Sequence, residues 1–266
     1  MTNRIEIDPN DIGRVQLRVA GDNNVVIIKK LSEGTVGKVS ISLAGNDCSI
    51  VLDAGIFIGD ALNIYAGQIH PNFGMINNAH IYIGKGTSFE KTTISTANAN
   101  SSIEIGERCM FSYGITVYNT DSHPIIDAEN GNIINKVKTL KIGDHVWVGA
   151  NATILKNTCI PDDCIVGWGS VVNSKSLHCT TSPPPPLKTL KGCIVAGNPA
   201  KIVKTGITWD SDGSKGYVQN ADMTAKISER AALIVALPPE NACPLPKKRK
   251  KGWGYRLWKH LSKKYG

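Results

Sequence analysis

No stretch of this chain stays apolar over the roughly 18 residues that a membrane-spanning helix needs. The N-terminus lacks the charged, apolar and small-residue zones of a secretory signal. Both absences set the expectation of a protein that remains in the cytosol. The seven cysteines are odd in number and contain no C-x-x-C pair. That argues against a disulfide framework and for separate thiols in a reducing compartment. Acidic residues are missing from 247–266, where nine Lys or Arg gather. Elsewhere 21 basic residues face 22 acidic ones, so the net charge of +8 belongs to the C-terminus and not to the body of the chain. Hydrophobic content, 41%, is ordinary and supports a packed core without covalent staples.

The chain does have a six-residue rhythm. From Ile142 to Leu177 it divides into Ile142-Gly-Asp-His-Val-Trp, Val148-Gly-Ala-Asn-Ala-Thr, Ile154-Leu-Lys-Asn-Thr-Cys, Ile160-Pro-Asp-Asp-Cys-Ile, Val166-Gly-Trp-Gly-Ser-Val and Val172-Asn-Ser-Lys-Ser-Leu. Each hexad opens on a β-branched aliphatic. The fifth place holds Val146, Ala152, Thr158, Cys164, Ser170 and Ser176, all small or β-branched. The second and fourth places are rich in Gly, Asn and Asp. A step of six fits neither the 3.6-residue helix nor a hairpin meander. The opening aliphatic is expected to point inward, the small residue to pack near the next corner, and Gly, Asn or Asp to form the corner backbone. The period therefore predicts a stacked parallel β-coil.

These residues resemble the hexapeptide-repeat acyltransferases, and among them the sugar and capsular polysaccharide O-acetyltransferases. Three segments carry the resemblance: Ile142 to Ile154, Val166-Gly-Trp-Gly-Ser-Val-Val, and Val195-Ala-Gly-Asn-Pro-Ala-Lys-Ile-Val. It covers Ile105 to Val203 well and the upstream half loosely. The resemblance implies an all-β fold, a left-handed parallel β-helix, and a homotrimer. Handedness comes from the resemblance alone, because parallel crossovers otherwise favour the right hand. The activity it implies is transfer of an acyl group from acetyl-CoA to a hydroxyl of a bacterial cell-surface glycan, with no metal.

The expected organisation has four parts. Residues 1–40 form an irregular early β segment, 41–204 the β-helix, 205–246 a loop, helix and linker, and 247–266 a basic amphipathic tail. Short apolar runs recur from Val39, and Ile105, Phe111 and Val117 restore the spacing of six for one coil. Residues 123–139 interrupt the count and predict a loop projecting from a corner. A second break, 179–192, contains Pro183 to Pro186, which cannot supply ladder donors. A strand from Cys193 to Lys204 then returns. Residues 221–236 read as a helix that would cover the open end of the coil.

His123, in Tyr118-Asn-Thr-Asp-Ser-His-Pro, is the candidate general base. An acceptor hydroxyl must lose its proton, and imidazole titrates near working pH. Its position resembles that of the family's catalytic histidine. Asn119 or Asp121 would orient the ring. Trp147 resembles a tryptophan at the active site of related polysaccharide O-acetyltransferases, where a backbone N–H could bind the oxyanion or the indole could shape the acyl pocket. Packing on a solenoid face is its structural alternative. His145 and Asp144 are corner residues first, and His70, His80 and His178 are weaker still. For the donor arm, Gly149, Ala150, Gly167, Gly169 and Ser170 are small enough for close approach. Trp168 replaces the small residue often found between such glycines. Lys201 and Lys204, in and beside Asn198-Pro-Ala-Lys201, would meet the nucleotide end of CoA, and Lys175 is a weaker cation. The alternative for each lysine is a solvated charge.

On a helix, Leu257, Trp258, Leu261 and Tyr265 share one face of the tail, flanked by Arg256, Lys259, Lys263 and Lys264. Aromatics with cations suit an anionic membrane surface, here the cytoplasmic face of the inner membrane. Docking to a partner enzyme, capture of an anionic glycan and nucleic-acid binding are the alternatives for the tail, and no nucleic-acid partner is expected. Three rival functions share the coil. One is an acetyltransferase for a free sugar, nucleotide sugar or serine. Another is a zinc carbonic anhydrase, for which His123 and His145 are too isolated. The last is a non-catalytic membrane-docked scaffold.

Overall fold

The structure is a computed structural model, and it describes residues 2–70, 74–177 and 192–211. The predicted rhythm appears residue by residue. Ile142, Val148, Ile154, Ile160, Val166 and Val172 point inward, each at most 1% exposed. The fifth-place residues Val146, Ala152, Thr158, Cys164 and Ser170 are fully enclosed. The fourth-place residues His145, Asn151, Asn157, Asp163 and Gly169 all turn with φ between 53° and 63°. A left-handed backbone costs a side-chain-bearing residue roughly 1–2 kcal/mol. Asn and Asp reduce that cost with side-chain hydrogen bonds to nearby backbone. The Asn157 Oδ1, for instance, accepts the Lys138 N–H at 2.6 Å.

Three such steps make one coil, and the coils stack in parallel. The first face is built from Arg4–Ile7, Val25–Ile28, Ser49–Leu52, Ala79–Ile83, Ser101–Ile105, Thr139–Ile142 and Cys159–Ile160, in that order. The second face includes Met110–Phe111, Trp147–Val148, Ile165–Val166 and Cys193–Gly197. The third includes Val15–Ala20, Lys38–Ala44, Ile115–Tyr118, Thr153–Leu155 and Val171–Val172. Two long strands, Phe57–His70 and Ser88–Thr96, serve the second and third faces together. Stacked aliphatics fill the prism, with Phe89 on Phe111 at 4.8 Å between ring centroids. Each fully buried Ile or Leu contributes about 1.5–3 kcal/mol.

The coil begins earlier than residue 41. Arg4–Ile7 pairs in parallel with Val25–Ile28, and Val15–Ala20 with Lys38–Ala44. Residues 4–44 are therefore stacked coils and not an irregular segment. Their strict spacing is hidden because residues 29–37, which stack on the next coil without forming a regular strand, separate the first face from the third. A hairpin, Phe57–His70 with Gly74–Ile76, also projects between the third and first faces. The 123–139 insertion leaves the same edge of the prism, and Ile126 and Ile133 bridge across it. Among the described residues the only helical turn is the short 3-10 segment Ile12–Arg14. The prolines 183–186, the 221–236 helix and the basic tail lie outside the described residues.

Candidate active site

His123 sits where the chain leaves the third face at Tyr118, on a neck that is firmly pinned. Asn119 is fully buried. Its Nδ2 donates to the carbonyls of Ser102 at 2.9 Å and Lys138 at 2.8 Å, and its Oδ1 accepts the Asn157 N–H at 3.1 Å. The entry and exit of the loop are thus stitched to the coil. Asp121 pairs with Lys156 and accepts a hydrogen bond from Asn135 Nδ2 at 2.7 Å. The same Asn135 amide donates to the His123 carbonyl at 2.9 Å. Partial burial pushes the Asp121 carboxyl up, but the bonds from Lys156 and Asn135 and the lysine charge together hold it below its ordinary range. Neither Asn119 nor Asp121 orients the imidazole, contrary to the expectation from sequence. Both are used up in fixing the backbone on either side of it. The His123 ring itself is exposed and has no hydrogen bond or ion pair among the described residues. It opens on a cleft of about 430 Å³ walled by Asn98, Asn100, Ser122, Asn135 and Lys136.

Trp147 stands on another side of the prism, at the start of the second face, between Met110 and Ile165 in neighbouring coils. It is 37% exposed. Its surroundings include a tryptophan from the stretch after the last strand, where the sequence predicts a loop. Trp209 folds back, donates its Nε1–H to the His145 carbonyl at 2.7 Å, and stacks on the His145 ring at 4.1 Å with a 5° tilt. The Trp147 and Trp209 ring centroids are 5.9 Å apart. The far side of the His145 imidazole is engaged too, with Nδ1 2.9 Å from Asp163 Oδ1. The His145 ring is thus oriented by a carboxylate at its edge and an indole on its face. A lone tryptophan in the polar run Thr208-Trp209-Asp210 was the only sequence signal for this strap.

The donor candidates divide. Gly149 and Ala150 stack directly on the corner Gly167 to Ser170, with the Gly169 N–H donating to the Ala150 carbonyl at 2.9 Å. A Cβ on Gly149 would lie 2.9 Å from the Trp168 nitrogen, so the contact between coils already requires that glycine. Ser170 is enclosed, and its hydroxyl accepts the Gly197 N–H at 3.1 Å. It braces the returning strand and is closed to a ligand. Ala150 is likewise buried. The accessible members are Trp168, 76% exposed, and Gly169, beside which a Cβ would meet open space. Lys201 and Lys204 are exposed on the strand Ala200–Thr205, opposite Ala196 and Ile194. Lys175 is exposed at the edge between the third and first faces, away from the others.

Buried thiols account for the described cysteines except Cys159, which is half-buried. Burial pushes the Cys109 thiol up to about 12, well outside nucleophilic range. Cys164 and Cys193 place their sulfurs 3.0 Å apart between the last two coils. Within one chain, then, the structure brings Trp147, His145 and Trp209 together, and gathers Gly149, Trp168 and Gly169 at the next corner. It leaves His123 on a separate edge.

No protein-family model matches the chain. It is 34% identical over 161 residues to a polysialic acid O-acetyltransferase of Neisseria meningitidis, covering 59% of this chain and 67% of that one. A polysialic acid O-acetyltransferase of Escherichia coli O1:K1 / APEC is 32% identical over 107 residues, 40% of this chain and 31% of the relative. Among solved structures, the polysialic acid O-acetyltransferase OatWY superposes with a TM-score of 0.57 at 28% identity, over 80% of this chain and 89% of the other. The polySia-specific acetyltransferase NeuO shares the fold, with a TM-score of 0.53 at 22% identity over 78% and 99%.

Proposed function

The chain belongs to the polysialic acid O-acetyltransferases, O-acyltransferases of capsular polysaccharide built on a left-handed parallel β-helix, and from that premise we propose that it moves an acetyl group from acetyl-CoA to a hydroxyl of a negatively charged capsular glycan, with His123 as the base. In this reaction a ring nitrogen of His123 takes the proton of a sugar hydroxyl as the oxygen attacks the thioester carbonyl. The tetrahedral oxyanion then collapses, the carbon–sulfur bond breaks, and the proton passes from imidazolium to the CoA thiolate. A direct attack needs no acyl-enzyme, and no described thiol lies beside His123. The observation that carries the proposal is an exposed imidazole, free of side-chain partners, on a neck held by Asn119, Asp121, Asn135 and Lys156. Its ring can accept a proton while its backbone stays fixed, which is the preorganisation that general-base catalysis requires.

A second copy of the chain completes the site in this proposal. His123 and Trp147 occupy different sides of the prism, so a homotrimer would set the imidazole of one copy against the indole and donor corner of the next. Trp168, Gly169, Lys201 and Lys204 are the donor groups on that corner, with the lysines as point charges for phosphate. The tail 247–266 would hold the assembly at the anionic inner face of the membrane. Vesicle flotation with and without those residues checks the last point, and equal binding refutes it.

The decisive experiment is thiol release from acetyl-CoA with a panel of purified bacterial polysaccharides, polysialic acid among them. Activity on a polyanionic glycan that vanishes in His123→Ala is expected. Mixing His123→Ala with Trp147→Ala chains tests the shared site. Partial recovery is expected, and no recovery in mixed trimers removes the shared arrangement.

A further inference from the structure

The third face carries an ordered outer surface that proton transfer at His123 does not require. Arg18, Ser42, Tyr65, Ser95 and Tyr118 are successive register partners in five stacked coils. They form one column in which small residues alternate with Arg18, Tyr65 and Tyr118, and Ser95 is buried between the two tyrosines. Beside it runs a second column, Gln16, Ser40, Asn63, Thr93 and Thr116. Every member of the second column can donate and accept hydrogen bonds without carrying a charge. Neither column contains an Asp or Glu. The first face differs, since it displays Glu6, Glu104 and Asp53, each beside a cation.

The surface is recessed as well as ordered. One cleft of about 210 Å³ holds Arg18, Ser42 and Tyr65. A second, of about 550 Å³, shares Ser42 and Tyr65 and extends past Tyr118 to Ser122. Ser122 is also a wall of the cleft that contains His123. The three recesses are therefore neighbours, each sharing a wall residue with the next from Arg18 to the imidazole. Strands in a sheet lie about 4.8 Å apart, so four steps from the coil of Arg18 to that of Tyr118 span about 19 Å. Tyr65 and Tyr118 are 46% and 38% exposed, two coils apart. At the ends stand the Arg18 guanidinium and the Lys136 ammonium, neither with an ion pair or hydrogen bond among the described residues.

We propose that the third face is an acceptor track, which holds several consecutive residues of a carboxylate-bearing glycan while one of them is presented to His123. The inference rests on the chain being a polysaccharide O-acetyltransferase. A single sugar or nucleotide sugar would fill the His123 cleft alone and leave the track unused. A polymer would lay the apolar faces of its rings on Tyr65 and Tyr118. Its hydroxyls would meet the Ser, Thr and Asn column, and a carboxylate would meet the fork of Arg18. The two columns set no acid against a polyanion, and the carboxylate in the His123 cleft, Asp121, is paired with Lys156.

The test compares acceptor lengths. Thiol release from acetyl-CoA is measured with long polysialic acid chains and with oligomers of two or three residues, for the full-length protein and for Arg18→Gln, Tyr65→Ala and Ser42→Glu. Wild-type protein is expected to favour the long acceptor. Each variant should lower kcat/KM for long chains about tenfold, chiefly through KM, and so narrow the ratio between long and short acceptors. Ser42→Glu should do so most strongly at low salt, because it sets a like charge in the path. Unchanged thermal melting establishes that the coil is intact. A ratio that stays constant in all three variants overturns the track while leaving the transferase reading in place. Failure of the wild-type protein to release thiol with any glycan defeats the transferase reading, and the track with it.

Discussion

Two corners of this molecule each carry a histidine on or beside a left-handed turn, and they have opposite chemical fates. At one, Ser122 has φ of 61° and His123 follows it with a ring that makes no hydrogen bond or ion pair among the described residues. At the other, His145 itself takes φ of 53°, and its ring lies between Asp163 and Trp209. The His145 ring is oriented by its Nδ1 bond to Asp163 and its stack on Trp209, whereas the neighbours of His123 hold only its backbone. The fixing of the main chain and the freeing of the ring are separate tasks, and Asn119, Asp121 and Asn135 perform the first without interfering with the second.

The sharpest way to break this contrast is to delete each ring in turn. His123→Ala should lower kcat by roughly two to four orders of magnitude with the oligomer intact by gel filtration. His145→Ala should leave kcat within about threefold and lower stability by about 1–2 kcal/mol, through loss of the stack and the carboxylate bond. Equal losses of activity would erase the distinction between the corners. Trp209→Ala is the next largest. It removes the strap beside Trp147 and should raise KM for acetyl-CoA about tenfold while His123-dependent pH behaviour stays the same. Steady-state kinetics against donor concentration reads this directly.

A subtler change targets the pinned neck. Lys156→Met removes the cation that helps hold the Asp121 carboxyl below its ordinary range. A carboxyl with a depressed folded value contributes stability that is complete above the unfolded value, about 3.9, and is lost as pH falls through the folded value. The wild-type loop should therefore loosen only below about pH 4, and in Lys156→Met the loss should begin at higher pH. Proteolysis of the 123–139 loop across an acid series measures the onset, and coincident curves would separate Lys156 from the neck. The smallest effect on activity belongs to Gly143→Ala. The added Cβ would lie 2.6 Å from the Asp162 nitrogen in the next coil, so it should cost about 1–3 kcal/mol by thermal or chemical denaturation and little in kcat.

The same contrast explains what could be seen in the sequence. Ile142 to Leu177 was legible because three identical steps close a coil, and the same side-chain demand recurs at every sixth place. The earlier coils were less so, because the irregular stretch 29–37 and the hairpin of Gln68–His70 with Gly74–Ile76 interrupt the count although the strands still stack. His123 could be picked out by its place at the start of an insertion. The partners suggested for it could not, because adjacency in sequence put Asn119 and Asp121 beside the ring while hydrogen bonding turned them towards Lys138, Asn157 and Lys156. Trp209 contacts a residue 64 positions earlier, a relation no local period encodes. The corner proposed for the donor stands out in the sequence as a set of small residues, but sequence could not tell Gly169, which borders open space, from Ser170, which is spent on Gly197.

Where the second face runs out, the chain reverses. Ala200–Thr205 lies antiparallel against Cys193–Gly197, with a register shift at Ile194 and Val195. Every other coil on that face offers its successor a same-direction edge, and a stranger's first coil would be an equally good successor. The reversed strand presents the wrong polarity and an irregular spacing to any such visitor. At this end of the second face, the last described edge thus runs against the direction in which another coil would add.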